Sequence, residues 1–63
     1  MSKVVEEYMK DERKALIVLN GETLCVDFYL NEKYTNTVEF PDKSIHYVKD
    51  AAENYVEGIL NFD

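Results

Sequence analysis

The sequence predicts a small two-layer α+β domain, in which a three-stranded antiparallel meander packs on a C-terminal helix and a short N-terminal helix is added. Three observations predict this class: an Asn20-Gly21 pair after an apolar run, alternating apolar and polar residues over 22–30, and an apolar stripe with helical spacing over 43–60. A chain of 63 residues forms one small domain, residues 1–63, so we expect any function to lie on its surface.

Residues 2–13 are predicted to form a short amphipathic helix that Ser2 can cap. Its apolar residues share one helical face: Val4, Val5, Tyr8 and Met9. A helix of this length is marginal in isolation, so we expect it to pack on the rest of the domain. A disordered or partly extended arm is the alternative.

The meander is predicted over residues 15–40. Its first strand, 15–19, is apolar on both faces, and the Asn-Gly pair predicts a two-residue type I′ turn. In the second strand the apolar and polar faces alternate, with Leu24, Val26, Phe28 and Leu30 on one side and Cys25, Asp27 and Tyr29 on the other. Residues 31–36 read as a polar turn and 35–40 as a third strand. Either Leu16 and Val18 or Ile17 and Leu19 face the core.

The C-terminal helix is predicted over residues 43–60, capped by Asp42 or Ser44. Its apolar stripe recurs every three or four residues: Ile45, Val48, Ala52, Tyr55, Val56 and Ile59. We expect Gly58 to loosen or end the last turn.

The charge is acidic and uneven: thirteen Asp and Glu against seven Lys and Arg give a net charge of −6, and residues 1–14 are neutral. This balance disfavours direct binding to nucleic acid or to an anionic membrane, and it allows a basic or nucleic-acid-binding protein as partner. One cysteine cannot form an internal disulfide, and no apolar targeting segment is visible, so we expect a cytoplasmic protein.

Little in the sequence indicates catalysis. His46 and Asp50 lie four residues apart on the helix, but a metal site needs three or four ligands. Cys25 has apolar sequence neighbours and no evident activating base. The two glycines are isolated, so there is no phosphate loop. We therefore predict no catalytic residue, no metal and no cofactor, and a protein that is not an enzyme.

Two surfaces are candidates for binding. On the helix, Asp50, Glu53 and Glu57 form an acidic ridge that would steer a basic partner, with Tyr34 and Tyr47 as anchors. The alternatives are a solvated helix face and rim packing.

The back of the sheet is the second candidate surface. Cys25, Tyr29 and Thr37 would make it a semi-apolar patch, covered by the N-terminal helix, a second copy of the chain, or a different protein.

Residues 37–55, TVEFPDKSIHYVKDAAENY, join a strand to a helix with an Ala-Ala-Glu stretch. In this region, and over 22–60 at most, the chain resembles the short accessory proteins of tailed bacteriophages. The resemblance implies a non-enzymatic protein that modulates a host protein, such as a polymerase, nuclease or defence component, in the host cytoplasm. The strand order also resembles the partial ribonuclease-H-like fold of HicB antitoxins, whose Gly-rich connection is missing here.

We expect a small acidic protein that inhibits or modulates a partner by occupying its surface; a homodimeric structural or assembly domain is the alternative.

Overall fold

The computed structural model describes residues 2–58, and it contains one four-stranded antiparallel sheet and one helix in that part of the chain. The elements are β1 (Ser2–Lys10), β2 (Arg13–Asn20), β3 (Thr23–Leu30), β4 (Lys33–Phe40) and α1 (Ile45–Val56). Each strand pairs with the next, so the sheet order is β1-β2-β3-β4. The α+β class is as predicted, but the sheet has four strands and not three.

The predicted N-terminal helix over residues 2–13 is wrong, because this segment forms β1. It pairs with β2 from Ser2 opposite Asn20 to Lys10 opposite Arg13, with one irregularity between Val4 and Glu6. This segment forms a strand because it lies beside the otherwise unpaired edge of β2. Pairing satisfies the backbone groups that face β2, whereas a short isolated helix gains only about 0.2–0.5 kcal/mol from each i, i+4 side-chain pair.

One predicted turn is too long and the other is displaced by one residue. Two residues join β3 to β4, Asn31 and Glu32, and both have positive φ, as a type I′ turn requires. The predicted turn over 31–36 is therefore too long, and β4 begins at Lys33 rather than at residue 35. At the preceding hairpin, Asn20 pairs with Thr23 as the last residue of β2. Only Gly21 of the predicted Asn-Gly pair has positive φ, so that turn lies one residue later than expected.

Helix α1 covers one face of the sheet. The buried apolar residues from the two layers are Ala15, Ile17, Val26, Phe28 and Phe40 from the strands and Val48, Ala51, Ala52, Tyr55 and Val56 from the helix. This set resolves the choice in β2, because Ile17 faces the helix and Leu16 and Val18 face away from it. The described part of the predicted helical stripe lies in this interface, while Ile59 is outside the described residues.

Tyr55 joins the two layers. Its ring centroid is 4.6 Å from that of Phe28, and its hydroxyl donates a hydrogen bond of 3.1 Å to the main-chain oxygen of Tyr29. The guanidinium of Arg13 lies 5.1 Å from the centre of the Tyr55 ring, a cation–π distance. One aromatic residue of the helix thus contacts both central strands.

Helix α1 is shorter than the predicted 43–60 at both ends, since it runs from Ile45 to Val56. Ser44 is the N-cap, and its hydroxyl accepts a hydrogen bond from the main-chain nitrogen of Tyr47. At the other end Gly58 has positive φ, which ends the helix as residues without a β-carbon commonly do.

Candidate binding surface on the open face of the sheet

The face of the sheet opposite α1 has no cover among residues 2–58. Directly opposite residues of antiparallel strands share a face, so the strand register arranges this face in three rows. From β1 to β4 the rows are Val4, Val18, Cys25 and Glu39; Glu7, Leu16, Asp27 and Thr37; and Met9, Lys14, Tyr29 and Tyr34. We call these twelve residues the open face. Because residues 2–10 are a strand, the N-terminal helix predicted as a possible cover does not exist.

Large apolar side chains of the open face are exposed at its corners. Val4 is 56% exposed, Met9 68% and Tyr34 57%. At the centre Leu16 and Val18 are half-buried by their neighbours in the sheet. A sheet face that only contacts solvent does not need apolar side chains. The apolar residues exposed on this face are therefore typical of a surface that contacts another molecule.

Polar and aromatic contacts hold one side of the open face rigid. The Thr37 hydroxyl donates to the Asp27 carboxylate at 2.6 Å. Because that hydroxyl has a single proton, the Tyr34 hydroxyl is the donor in its own bond of 2.7 Å to Thr37. The Tyr29 and Tyr34 rings meet edge to face with centroids 5.8 Å apart, and the Lys14 ammonium lies 4.8 Å from the Tyr29 ring centre. Tyr34 is therefore both exposed and held in place.

Cys25 is buried on the open face beneath its neighbours. Burial, followed by the negative charges of Glu39 and Asp27, raises the pKa of its thiol. The thiolate, which is the nucleophilic form, is therefore disfavoured at neutral pH. Cys25 is thus a buried thiol that has no activating partner among the described residues.

The open face has an excess of negative charge. Glu7, Asp27 and Glu39 carry three carboxylates, and Lys14 carries the one ammonium of the rows. Within residues 2–58 the ion pairs involve none of these carboxylates: they join Lys10 to Glu57 at 2.6 Å and Lys49 to Glu6 at 3.4 Å. The open face thus combines apolar area with carboxylates that have no cationic partner in the described chain.

The acidic ridge of the helix is on the other side of the molecule and is partly neutralised. Glu57 is paired with Lys10 of β1, which also raises the pKa of the Lys10 ammonium through a hydrogen bond and charge attraction. Asp50 and Glu53 are exposed and make no ion pair among residues 2–58. Lys49 lies next to Asp50 on the same helix, and its ammonium reaches Glu6.

Tyr47 also lies away from the open face. It is 51% exposed, its ring meets the edge of Phe40 at 5.9 Å between centroids, and the Lys43 ammonium lies 4.9 Å from the ring centre. The predicted anchors Tyr34 and Tyr47 therefore belong to different surfaces. Tyr34 joins the predicted sheet-face residues Cys25, Tyr29 and Thr37, whereas Tyr47 lies on the helix with the acidic ridge.

Among the open-face residues that were not predicted as site residues are Val4, Glu7 and Met9. All three belong to β1, which the sequence analysis interpreted as a helix. One signal could have revealed them. The run 15–19 is apolar on both faces and is rich in β-branched residues, which is typical of an interior strand with a neighbour on each side.

Residues 2–58 contain no cluster of three or more His, Cys, Asp or Glu that could hold a metal ion. A cleft of about 400 Å³ opens at the turn end of the strands, lined by Met9, Asp11, Glu12, Arg13, Lys14, Asn31 and Glu32. This lining holds no serine, cysteine or histidine. In the same described part of the chain, no helix has the length and apolarity needed to cross a membrane.

Comparison with protein-family models, with curated proteins and with solved structures finds no match for this chain. Exposed apolar side chains and carboxylates that form no ion pair within residues 2–58 occur together on the open face.

Proposed function

We propose that this chain is a small non-enzymatic binding protein that occupies the surface of a partner protein through its open face. The observation that carries the proposal is the exposure of Met9 and Tyr34 on a sheet face that α1 does not cover. Side chains in a preformed sheet lose little further entropy on binding, and tyrosine is common among the residues that dominate binding energy.

Occupying a partner's surface would modulate or inhibit that partner without turnover. The resemblance of residues 37–55 to phage accessory proteins supports a host protein as the target. Under this proposal the exposed Asp50 and Glu53 act at a distance, because an acidic molecule attracts a basic partner before contact and raises the association rate.

A homodimeric assembly domain is the second candidate, because a second copy could also cover the open face. The edge strands β1 and β4 leave backbone groups unpaired, which is a common route to association between copies. Analytical ultracentrifugation separates the two functions. A tight dimer that the Tyr34→Ala substitution dissociates would favour assembly, and a monomer would contradict it.

The test of partner binding compares two tyrosine truncations in an affinity capture from the native host cells. Tyr34→Ala removes an exposed ring from the open face, and Tyr47→Ala removes a similarly exposed ring from the helix. We expect Tyr34→Ala to lower capture by at least about fivefold, the effect of a residue worth more than 1 kcal/mol, and Tyr47→Ala to leave capture unchanged.

Far-UV circular dichroism of both variants would verify that each remains folded. Loss of capture with Tyr47→Ala and not with Tyr34→Ala would move the site to the helix. A wild-type chain that captures nothing would contradict the proposed function.

A further inference from the structure

We infer that the open face binds a cationic amphipathic segment of a partner protein, in which apolar residues are flanked by lysine or arginine. This inference rests on the proposed function and specifies the chemistry of its partner. It follows from the shape of the open face, from the apolar side chains of Leu16 and Val18 on its interior strand β2, and from the distribution of its charges.

The size of the open face suits one amphipathic helix. Four strands separated by about 4.8 Å place the outer strands about 14 Å apart, and three rows two residues apart extend about 14 Å along them. A helix of about 14 residues is roughly 21 Å long and about 10 Å wide, so it would cross the face and leave the flanks accessible. Leu16 and Val18 lie on the interior strand β2 next to buried Cys25, and they would meet the apolar stripe of the segment.

The carboxylates are distributed to meet cations on both sides of such a segment. Glu7 is on the edge strand β1, Glu39 is on the opposite edge strand β4, and Asp27 is between them on β3. Lys14, the one cation of the rows, is placed over the Tyr29 ring, where the π-face stabilises its charge. The face therefore presents one carboxylate on each edge strand and a third, Asp27, beside Leu16 in the middle row, a pattern that suits a segment with lysine or arginine along its flanks.

The same charges disfavour other occupants. Two copies stacked through their open faces would bring together six carboxylates and two ammonium groups, and each copy also carries a net charge of −6. Like charges placed opposite each other across an interface destabilise the complex by several kcal/mol, which favours a partner of opposite charge. Nucleic acid and anionic lipid would meet the same repulsion.

The test uses two designed helical peptides of about 14 residues, each with leucine on one face. One carries lysine on its flanks and the other carries glutamate at the same positions. Each is titrated into the isotope-labelled full chain while amide NMR signals are followed. We expect the leucine–lysine peptide to shift the signals of Leu16, Val18 and Cys25, and the leucine–glutamate peptide to leave them in place.

A matched pair of charge reversals locates the attraction. Glu39→Lys on the open face and Glu53→Lys on the helix change the net charge equally, and both side chains are exposed. We expect Glu39→Lys to weaken binding of the leucine–lysine peptide about fivefold, the effect of losing an exposed charge pair worth about 1 kcal/mol. We expect less than about twofold from Glu53→Lys, because it acts only at long range.

Three outcomes would overturn the inference: equal binding of both peptides, signal changes confined to the helix, or no binding of the leucine–lysine peptide. These results leave the proposed function intact if Tyr34→Ala still lowers capture from host cells. If capture is indifferent to Tyr34→Ala, the proposed function itself fails.

Discussion

The hydroxyl of Tyr55 gives the sharpest prediction about how the helix is fixed to the sheet. Tyr55 is only 4% exposed, and its hydroxyl donates to the main-chain oxygen of Tyr29 across the layer interface. Tyr55→Phe removes that donor and keeps the ring against Phe28 and beneath Arg13. The change therefore isolates one hydrogen bond without opening a cavity.

The expected loss is about 0.5–1 kcal/mol of the free energy of unfolding. A typical intramolecular hydrogen bond contributes about 0.5–1.5 kcal/mol net, and a donor–acceptor distance of 3.1 Å is long for a hydroxyl donor, which favours the lower half of that range. A domain of this size has only about 3–5 kcal/mol in total, so the loss is measurable.

Urea denaturation followed by far-UV circular dichroism is the assay, because the chain has no tryptophan. With a slope near 1 kcal/mol per molar urea, the midpoint should fall by about 0.5–1 M without a change in slope. Tyr47→Phe is the matched control: its hydroxyl makes no hydrogen bond within residues 2–58, so its midpoint should not move. Equal midpoints for Tyr55→Phe and the wild type would refute the described docking of α1.

Three further predictions concern stability and reactivity. Ile17→Val should lower the free energy of unfolding by about 0.5–1.5 kcal/mol because the side chain is fully buried, whereas Met9→Ser on the open face should change it by less than about 0.5 kcal/mol. Chemical denaturation of both variants measures these changes, and a larger loss for Met9→Ser than for Ile17→Val would contradict the assignment of the covered face. The pKa values of Tyr8, Cys25 and Lys10 are all raised, the first two mainly by burial and the third mainly by its hydrogen bond to Glu57. The folded state therefore holds more protons than the unfolded state above about pH 9, and thermal melting should show stability falling from there as the pH rises; a rise would contradict these directions. A thiol-specific reagent should modify Cys25 far more slowly in the folded chain than in urea at the same pH, and equal rates would mean that the thiol is not buried.

Much of the fold follows from local patterns. The alternation over residues 23–30 identified β3, and the stripe through Val48, Ala52 and Tyr55 identified α1 and the face that it buries. The choice between the two faces of β2 could not be made locally, because the run 15–19 is apolar on both sides. It depends on register with β3, where Ile17 is opposite Val26, and Val26 already belonged to the predicted core face.

The first strand was missed because its local pattern fits a helix as well as a strand. Val4, Val5, Tyr8 and Met9 cluster at helical spacing, yet Tyr8 packs toward the core and Met9 lies on the open face once the segment is extended. What decides the conformation is the free edge of β2, a tertiary effect that overrides a weak local preference.

The candidate site was predicted in part for the same reason. Cys25, Tyr29 and Thr37 were placed together because they alternate with core residues on their strands. Tyr34 was assigned to a long turn, so its membership of this face emerges only from the short hairpin that pairs it with Tyr29.

Mapping the contact of a captured partner on the labelled chain is the measurement that tests the open face most directly. On addition of purified partner, we predict that the amide signals of Val18, Cys25 and Tyr29 shift or broaden while those of Asp50 and Glu53 remain in place. Perturbation of Asp50 and Glu53 with an unchanged sheet would contradict the open face as the binding surface and would assign binding to the helix.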